Sequence, residues 1–176
     1  MTMLERQGII KFGANDVTVV GPDITPGQQA PEFRAHTRDW RTISVLAETA
    51  GKVRVIAALP SIDTPVCDLE GQKFNEAATA LSDDIVIVTI SADLPFAQQR
   101  WCGDHGIERL LVVSDHMDME FGKKYGCLMK EVRLLRRAVF VVDRNDNVVY
   151  ADYMKALGDE PNYSEVLEAA KAALAR

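Results

Sequence analysis

At 176 residues, with 47% hydrophobic and 26% charged content, the chain is long enough to bury a sizeable core, and residues 1–176 read as one domain. Its formal net charge of −6 argues against a nucleic-acid binder, which carries a basic face; the tightest basic cluster, Arg133, Arg136 and Arg137, sits beside an apolar strand. No apolar run reaches the roughly 18 residues of a transmembrane helix, and the start, MTMLERQGIIKFG, shows neither the apolar stretch nor the cleavage site of a signal peptide, so a cytoplasmic location is expected.

The segment Gly8 to Val20 (GIIKFGANDVTVV) predicts a hairpin turning at Gly13 to Asp16. Gly21 to Phe33, rich in proline and glycine, reads as a connecting loop. Strands are expected at Thr42 to Leu46 and Val53 to Leu59. From Val66 to Leu81 the apolar residues recur at helical spacing. A buried strand follows at Ile85 to Ser91, then a short helix from Pro95 to Cys102, a strand at Leu110 to Asp115 and a short helix from Met119 to Tyr125. Ala138 to Asp143 and Val148 to Met154 pair as a hairpin, and an amphipathic helix closes the chain from Tyr163 to Leu174. Strands alternating with helices and ending in an antiparallel hairpin predict an α/β fold with a mixed central sheet, close to a thioredoxin-like layout.

Three cysteines is an odd, low count, suited to a reducing compartment where cysteine pairs are catalytic or redox-sensing rather than structural. Cys67 closes the stretch PSIDTPVC, directly after the apolar strand. Thr64 followed by Pro65 is a helix-start signature, which puts Cys67 in the first turn, where free N–H groups and the helix dipole favour an anion. Such settings lower a thiol pKa from ~8.5 toward ~3.5–7.5, and the thiolate is the reactive form. The preceding strand delivers this turn to the carboxyl edge of the sheet. Asp63, Asp68 and Glu70 pull the other way unless a cation sits closer. On these grounds alone Cys67 is either a reactive thiolate or a small hydrophobe of the core.

The pattern P-x-x-x-T-x-x-C within PSIDTPVC resembles the active-site motif of peroxiredoxins. SIDTxVC together with SADLPFAQQRWC (Ser91 to Cys102) is similar to the bacterial thiol peroxidase subfamily, as are the N-terminal hairpin and RRAVFVVDRNDNVVY. That resemblance implies a peroxidatic Cys67 whose thiolate attacks a hydroperoxide and becomes a sulfenic acid. It implies that Thr64 bonds thiolate and peroxide, that Pro60 shields the thiolate from water, and that Arg137 pairs with it. Arg136 is next door, and strand alternation allows only one of the two to face the site; Arg137 is the preferred choice. It further implies that Cys102 resolves the sulfenic acid as an intramolecular disulfide, that thioredoxin is the reductant, and that the protein is a homodimer needing no cofactor or metal. Organic or lipid-type hydroperoxides are the implied substrates beside hydrogen peroxide, with Leu94, Phe96 and Trp101 offering an apolar surface.

Plainer roles stand beside these. Thr64 reads equally as a helix cap and Pro60 as a strand stop. Arg137 reads as an ordinary ion pair, and Cys102 with Trp101 and Phe96 as core packing. Cys127, in YGCLM, has the apolar flank of a buried, inert thiol. His36, His105 and His116 match no zinc spacing, and no G-x-G-x-x-G follows a strand. A general disulfide oxidoreductase is disfavoured because no C-x-x-C occurs; a peroxide sensor that oxidises once without cycling is the alternative function.

Overall fold

The computed structural model describes residues 2–176. Its N-terminal hairpin comprises β1 (Glu5–Phe12) and β2 (Asn15–Val20), longer at its start than the sequence suggests. Gly8, read from sequence as a boundary, lies inside β1 at φ +76°, where the register shifts between Gln7 and Lys11; a glycine marks a bulge there, not an end.

A second hairpin, β3 (Arg34–Thr37) and β4 (Thr42–Ser44), runs into the short helix α1 (Val45–Glu48). The expected strand Thr42 to Leu46 therefore stops at Ser44. The cause is non-local: the Glu32 carboxylate accepts the N–H groups of Leu46 (2.9 Å) and Ala47 (2.8 Å), satisfying the first turn of α1 from outside.

Next come β5 (Val53–Ala58), α2 (Pro65–Ala78), β6 (Ile85–Ser91), α3 (Pro95–His105), β7 (Leu111–Ser114) and α4 (Glu120–Lys124). Two very short strands follow, β8 (Leu128–Met129) and β9 (Leu134–Leu135), then β10 (Ala138–Val142), β11 (Val148–Tyr153) and α5 (Tyr163–Leu174). The helices α2 and α3 are shifted from the sequence reading by up to three residues; α3 runs on to His105 because Gly106, at φ +62°, supplies the left-handed C-cap.

The central sheet has the order β11-β10-β5-β6-β7-β3-β4. β5, β6 and β7 run parallel, joined by the crossovers α2 and α3, while β10 and β3 flank them antiparallel. A strand covered on both faces reads as a near-continuous apolar run, and every residue of β5 is buried; the one exception to the apolar run is Arg54, whose guanidinium donates to the Asp143 and Leu46 carbonyls at 2.8 Å each. Val55 and Ala57 face one core with Phe74, Trp101 and Val166 of α2, α3 and α5; Ile56 and Ala58 face another with Phe33, Phe121 and Tyr125. Fully burying each Val or Ile side chain contributes ~1.5–3 kcal/mol. A smaller sheet, β1-β2-β8-β9, covers its own cluster of Ile10, Val17, Val19 and Met129. Among the described residues no helix is long and apolar enough to cross a membrane.

Candidate active site

Sheet topology gathers the site at the carboxyl ends of β5 and β6. Pro60 and the turn to Cys67 follow β5, and Asp93 follows β6. β10 is antiparallel to β5, with Ala138 opposite Ala58, so Arg137 enters β10 at the same edge. β11 returns alongside with Tyr153 opposite Ala138, which brings the chain just beyond it, including Leu157, to Arg137.

Thr64 is the N-cap of α2, with Pro65 in its first turn. The Thr64 hydroxyl oxygen accepts the Cys67 N–H at 3.3 Å, and its O–H points to the Ser61 carbonyl at 3.2 Å. In this arrangement the hydroxyl is engaged as a cap. Cys67 is wholly buried, and Pro60 beside it is also buried.

The Arg137 guanidinium, itself 1% exposed, makes the decisive contact: Nη2 donates to Cys67 Sγ at 3.0 Å. Nη1 pairs with the Glu70 carboxylate, and Nε and Nη2 donate to the Leu157 carbonyl at 3.3 and 3.1 Å. The planar fork thus spans sulfur, carboxylate and carbonyl at once, which a lysine does not do. Burial alone lowers the Arg137 pKa, but the charges of Glu70 and Cys67 outweigh it and hold it above its usual value. Arg136 turns the other way. It pairs with Asp23, donates to the Gly126 carbonyl at 3.0 Å and lies 4.1 Å from the centre of the Tyr153 ring.

The three acids near Cys67 each have their own partner. Asp63 is exposed and lies 3.8 Å from Arg100. Asp68 accepts the Trp101 indole N–H at 2.7 Å. Glu70, fully buried and one turn after Cys67, faces Arg137; burial pushes its carboxyl up to about 7 against the pull of that arginine. Its second oxygen, Oε1, is buried without a hydrogen-bond partner. The sequence reading saw Glu70 only as an unfavourable neighbour. Its i, i+3 spacing from Cys67, which puts both on one helix face, was the available signal.

Asp93 is a further residue that the sequence reading missed. It accepts the Ser61 hydroxyl (2.8 Å), the Ile62 N–H (2.9 Å) and the Ser91 hydroxyl (2.6 Å), fixing the turn that leads into α2. This gives SADLP a physical purpose, because an aspartate after one strand pins the loop after its neighbour.

Cys102 is buried on α3, and burial pushes its thiol up, with the nearby Arg38 pulling it back. Trp101 belongs to the core, 5% exposed, so it offers no substrate surface; Phe96, 70% exposed, and Leu94 do face solvent. Cys127 is fully buried and pushed up to about 12, so it supplies no thiolate near neutral pH. His36 and His116, far apart in sequence, come together with ring centres 5.1 Å apart.

The Redoxin family model matches residues 25–167. The chain is 50% identical over 163 residues to the thiol peroxidase of Bacillus subtilis (strain 168), covering 93% of this chain and 96% of the relative. It is 46% identical over 165 residues to the thiol peroxidase of Halalkalibacterium halodurans, covering 94% and 98%. Among solved structures, a peroxiredoxin-like protein from Aquifex aeolicus superposes with a TM-score of 0.84 at 35% identity, over 97% of this chain and 98% of that one. A thiol peroxidase from Chromobacterium violaceum, 18% identical, shares the thioredoxin-like fold with a TM-score of 0.82, over 94% and 97% of the two chains.

Proposed function

Because the chain belongs to the redoxin family and is a thiol peroxidase of the peroxiredoxin class, we propose that it reduces hydroperoxides through Cys67 and Cys102, with thioredoxin as the returning reductant. The contact that carries this reading is Arg137 Nη2 to Cys67 Sγ at 3.0 Å, at the first turn of α2. A guanidinium and the free N–H end of a helix both favour negative charge at that sulfur.

The chemistry runs in three steps. The Cys67 thiolate attacks the terminal oxygen of ROOH; the O–O bond breaks, ROH leaves after taking up a proton, and Cys67 becomes a sulfenic acid. The Cys102 thiolate then attacks the Cys67 sulfur, hydroxide leaves as water, and a disulfide joins the two. Two thiols of thioredoxin give up their electrons to return both cysteines to the reduced state. Arg137 steadies the attacking sulfur, Thr64 and Asp93 hold the turn that carries it, and Pro60 and its surroundings exclude water. The exposed side chains of Phe96 and Leu94, on the helix after Asp93, support organic hydroperoxides as substrates beside hydrogen peroxide.

Thioredoxin-coupled turnover with cumene hydroperoxide tests the proposal. Cys67→Ser is expected to abolish it. Cys102→Ser is expected to consume about one equivalent of peroxide per chain and then stop cycling with thioredoxin. Sustained thioredoxin-coupled cycling by Cys102→Ser would remove Cys102 from its role, and turnover by Cys67→Ser would overturn the mechanism.

A further inference from the structure

We propose that Glu70 is the second seat of one negative charge held by Arg137: it is a neutral carboxyl while Cys67 is a thiolate and becomes a carboxylate when that sulfur is oxidised. Glu70 thereby acts through Arg137 as a positioning residue that compensates charge, and this rests on the reading of Cys67 given above.

The charges around this spot are few. Cys67 and Glu70 stand one turn apart on α2, and one guanidinium serves both: Nη2 donates to Cys67 Sγ at 3.0 Å while Nη1 pairs with Glu70 Oε2. All three side chains are buried. The remaining hydrogen bonds of Arg137 go to the Leu157 carbonyl, which carries no charge. Glu160, in the segment leading into α5, also acts on Glu70, but it already holds the Lys73 ammonium and the Tyr163 hydroxyl at 2.9 Å each. Tyr163 itself, on α5, stays a neutral phenol because burial pushes its ionisation upward. One unshared cation therefore answers to two acids.

A buried cation balances one anion. A second anion in the same dry space has no counter-charge, and the cost is great enough that the group takes up a proton instead. Two acids coupled through one arginine titrate as a pair with a proton shared between them. The geometry favours Glu70 as its holder when the sulfur is charged, because Oε1 is buried with no hydrogen-bond partner. An ionised carboxylate loses its solvation at such an oxygen, whereas the neutral acid forfeits far less. In keeping with this, burial pushes the Glu70 carboxyl up to about 7 in spite of Arg137.

Oxidation removes the reason for the proton. When the Cys67 thiolate attacks ROOH, the O–O bond breaks, the sulfur becomes a neutral sulfenic acid, and RO⁻ departs with the charge. Glu70 then releases its proton and its carboxylate takes over Arg137. In sum, Cys67–S⁻, Glu70–COOH and ROOH give Cys67–SOH, Glu70–COO⁻ and ROH, with no net proton drawn from the medium. When reduction of the disulfide returns Cys67 as a thiol, Glu70 takes that proton back and the thiolate is restored. The buried guanidinium thus has an anion at each stage.

Proton counting tests this. Reduced Cys102→Ser protein, which stops at the sulfenic acid, is mixed with one equivalent of cumene hydroperoxide in weak buffer with a pH indicator. Loss of the thiolate's ultraviolet absorbance marks the oxidation of Cys67. At pH 6 this chain is expected to take up close to no protons. At pH 8, where Glu70 has already ionised, it takes up one per sulfur oxidised, with the midpoint at the carboxyl's own value of about 7. Adding Glu70→Gln, which keeps an oxygen for Arg137 but cannot titrate, gives one proton throughout that range. Infrared difference spectra at pH 6 need no Glu70 variant: the C=O stretch of a protonated carboxyl disappears as Cys67 is oxidised. Proton uptake that is the same at pH 6 and pH 8 with Glu70 present, or a carboxyl band that persists, overturns the charge exchange. A reduced chain with no thiolate absorbance to lose, or one that the peroxide leaves unoxidised, overturns instead the reading of Cys67 on which it rests.

Discussion

Arg137 gathers the site into one unit, since a single guanidinium touches the Cys67 sulfur, the Glu70 carboxylate and the Leu157 carbonyl. Replacing it with lysine keeps the charge but not the fork. Arg137→Lys is therefore expected to slow Cys67 oxidation by about 10²-fold, the scale of losing one preorganised donor; stopped-flow oxidation of the reduced enzyme measures it, and a rate within a factor of about two of wild type would remove Arg137 from the chemistry. Glu70 carries a different signature. Its carboxyl titrates from 4.5 as a free group to about 7 in the folded protein, so between those values the folded chain holds the extra proton. Stability from this residue is fully present below pH 4.5 and is lost as the pH rises toward 7. Asp115, raised by burial from 3.8 to about 6, adds to the same slope at its lower end. In Glu70→Gln the urea midpoint should fall less steeply between pH 5 and pH 7 than in wild type. An identical slope in the variant would mean that Glu70 stays ionised throughout that window.

Helix α2 shows what a local sequence signal can carry and where it stops. Thr64, Pro65 and Cys67 are adjacent in the chain, and the cap they predict is the cap that forms, because its partners are three residues apart. The start of α1 could not be read in this way, since the carboxylate satisfying its first turn comes from Glu32, 14 residues before Leu46. The two-residue strands β8 and β9 left no periodicity to detect. Which of Arg136 and Arg137 reaches Cys67 depended on how β10 pairs with β5, and Asp93 became visible only once β5 and β6 lay side by side. At Gly71 the packing is tight enough for a single methyl group to matter: a β-carbon there would stand 2.4 and 2.6 Å from two carbons of the Trp101 indole. Gly71→Ala is expected to lower stability by about 1–3 kcal/mol, the usual cost of forcing a methyl into a filled core. Urea unfolding measures it, and an unchanged midpoint would show that the indole has room to shift.

At the scale of the whole molecule, the candidate site around Cys67 exists because one antiparallel strand joins a parallel unit. β5, β6 and β7 put the starts of α2 and α3 on one edge, and β10, entering from the opposite direction, brings a cation to that edge. The two cysteine helices cover the same face of the sheet, and Cys67 and Cys102 belong to one core cluster, Cys67 beside Arg137 at the head of β10 and Cys102 near Arg38, just past the end of β3. Cys127 belongs to the opposite core, so on the proposed reading Cys127→Ala should leave thioredoxin-coupled turnover unchanged; loss of turnover in that variant would give this third thiol a role. The central claim is that Cys67 and Cys102 act as a pair, and its most direct test is intact mass with peptide mapping after one equivalent of cumene hydroperoxide is added to the reduced chain. A loss of two hydrogens with Cys67 and Cys102 in one linked peptide is the expected result; one added oxygen on Cys67 with no link, or no change in mass, would contradict it.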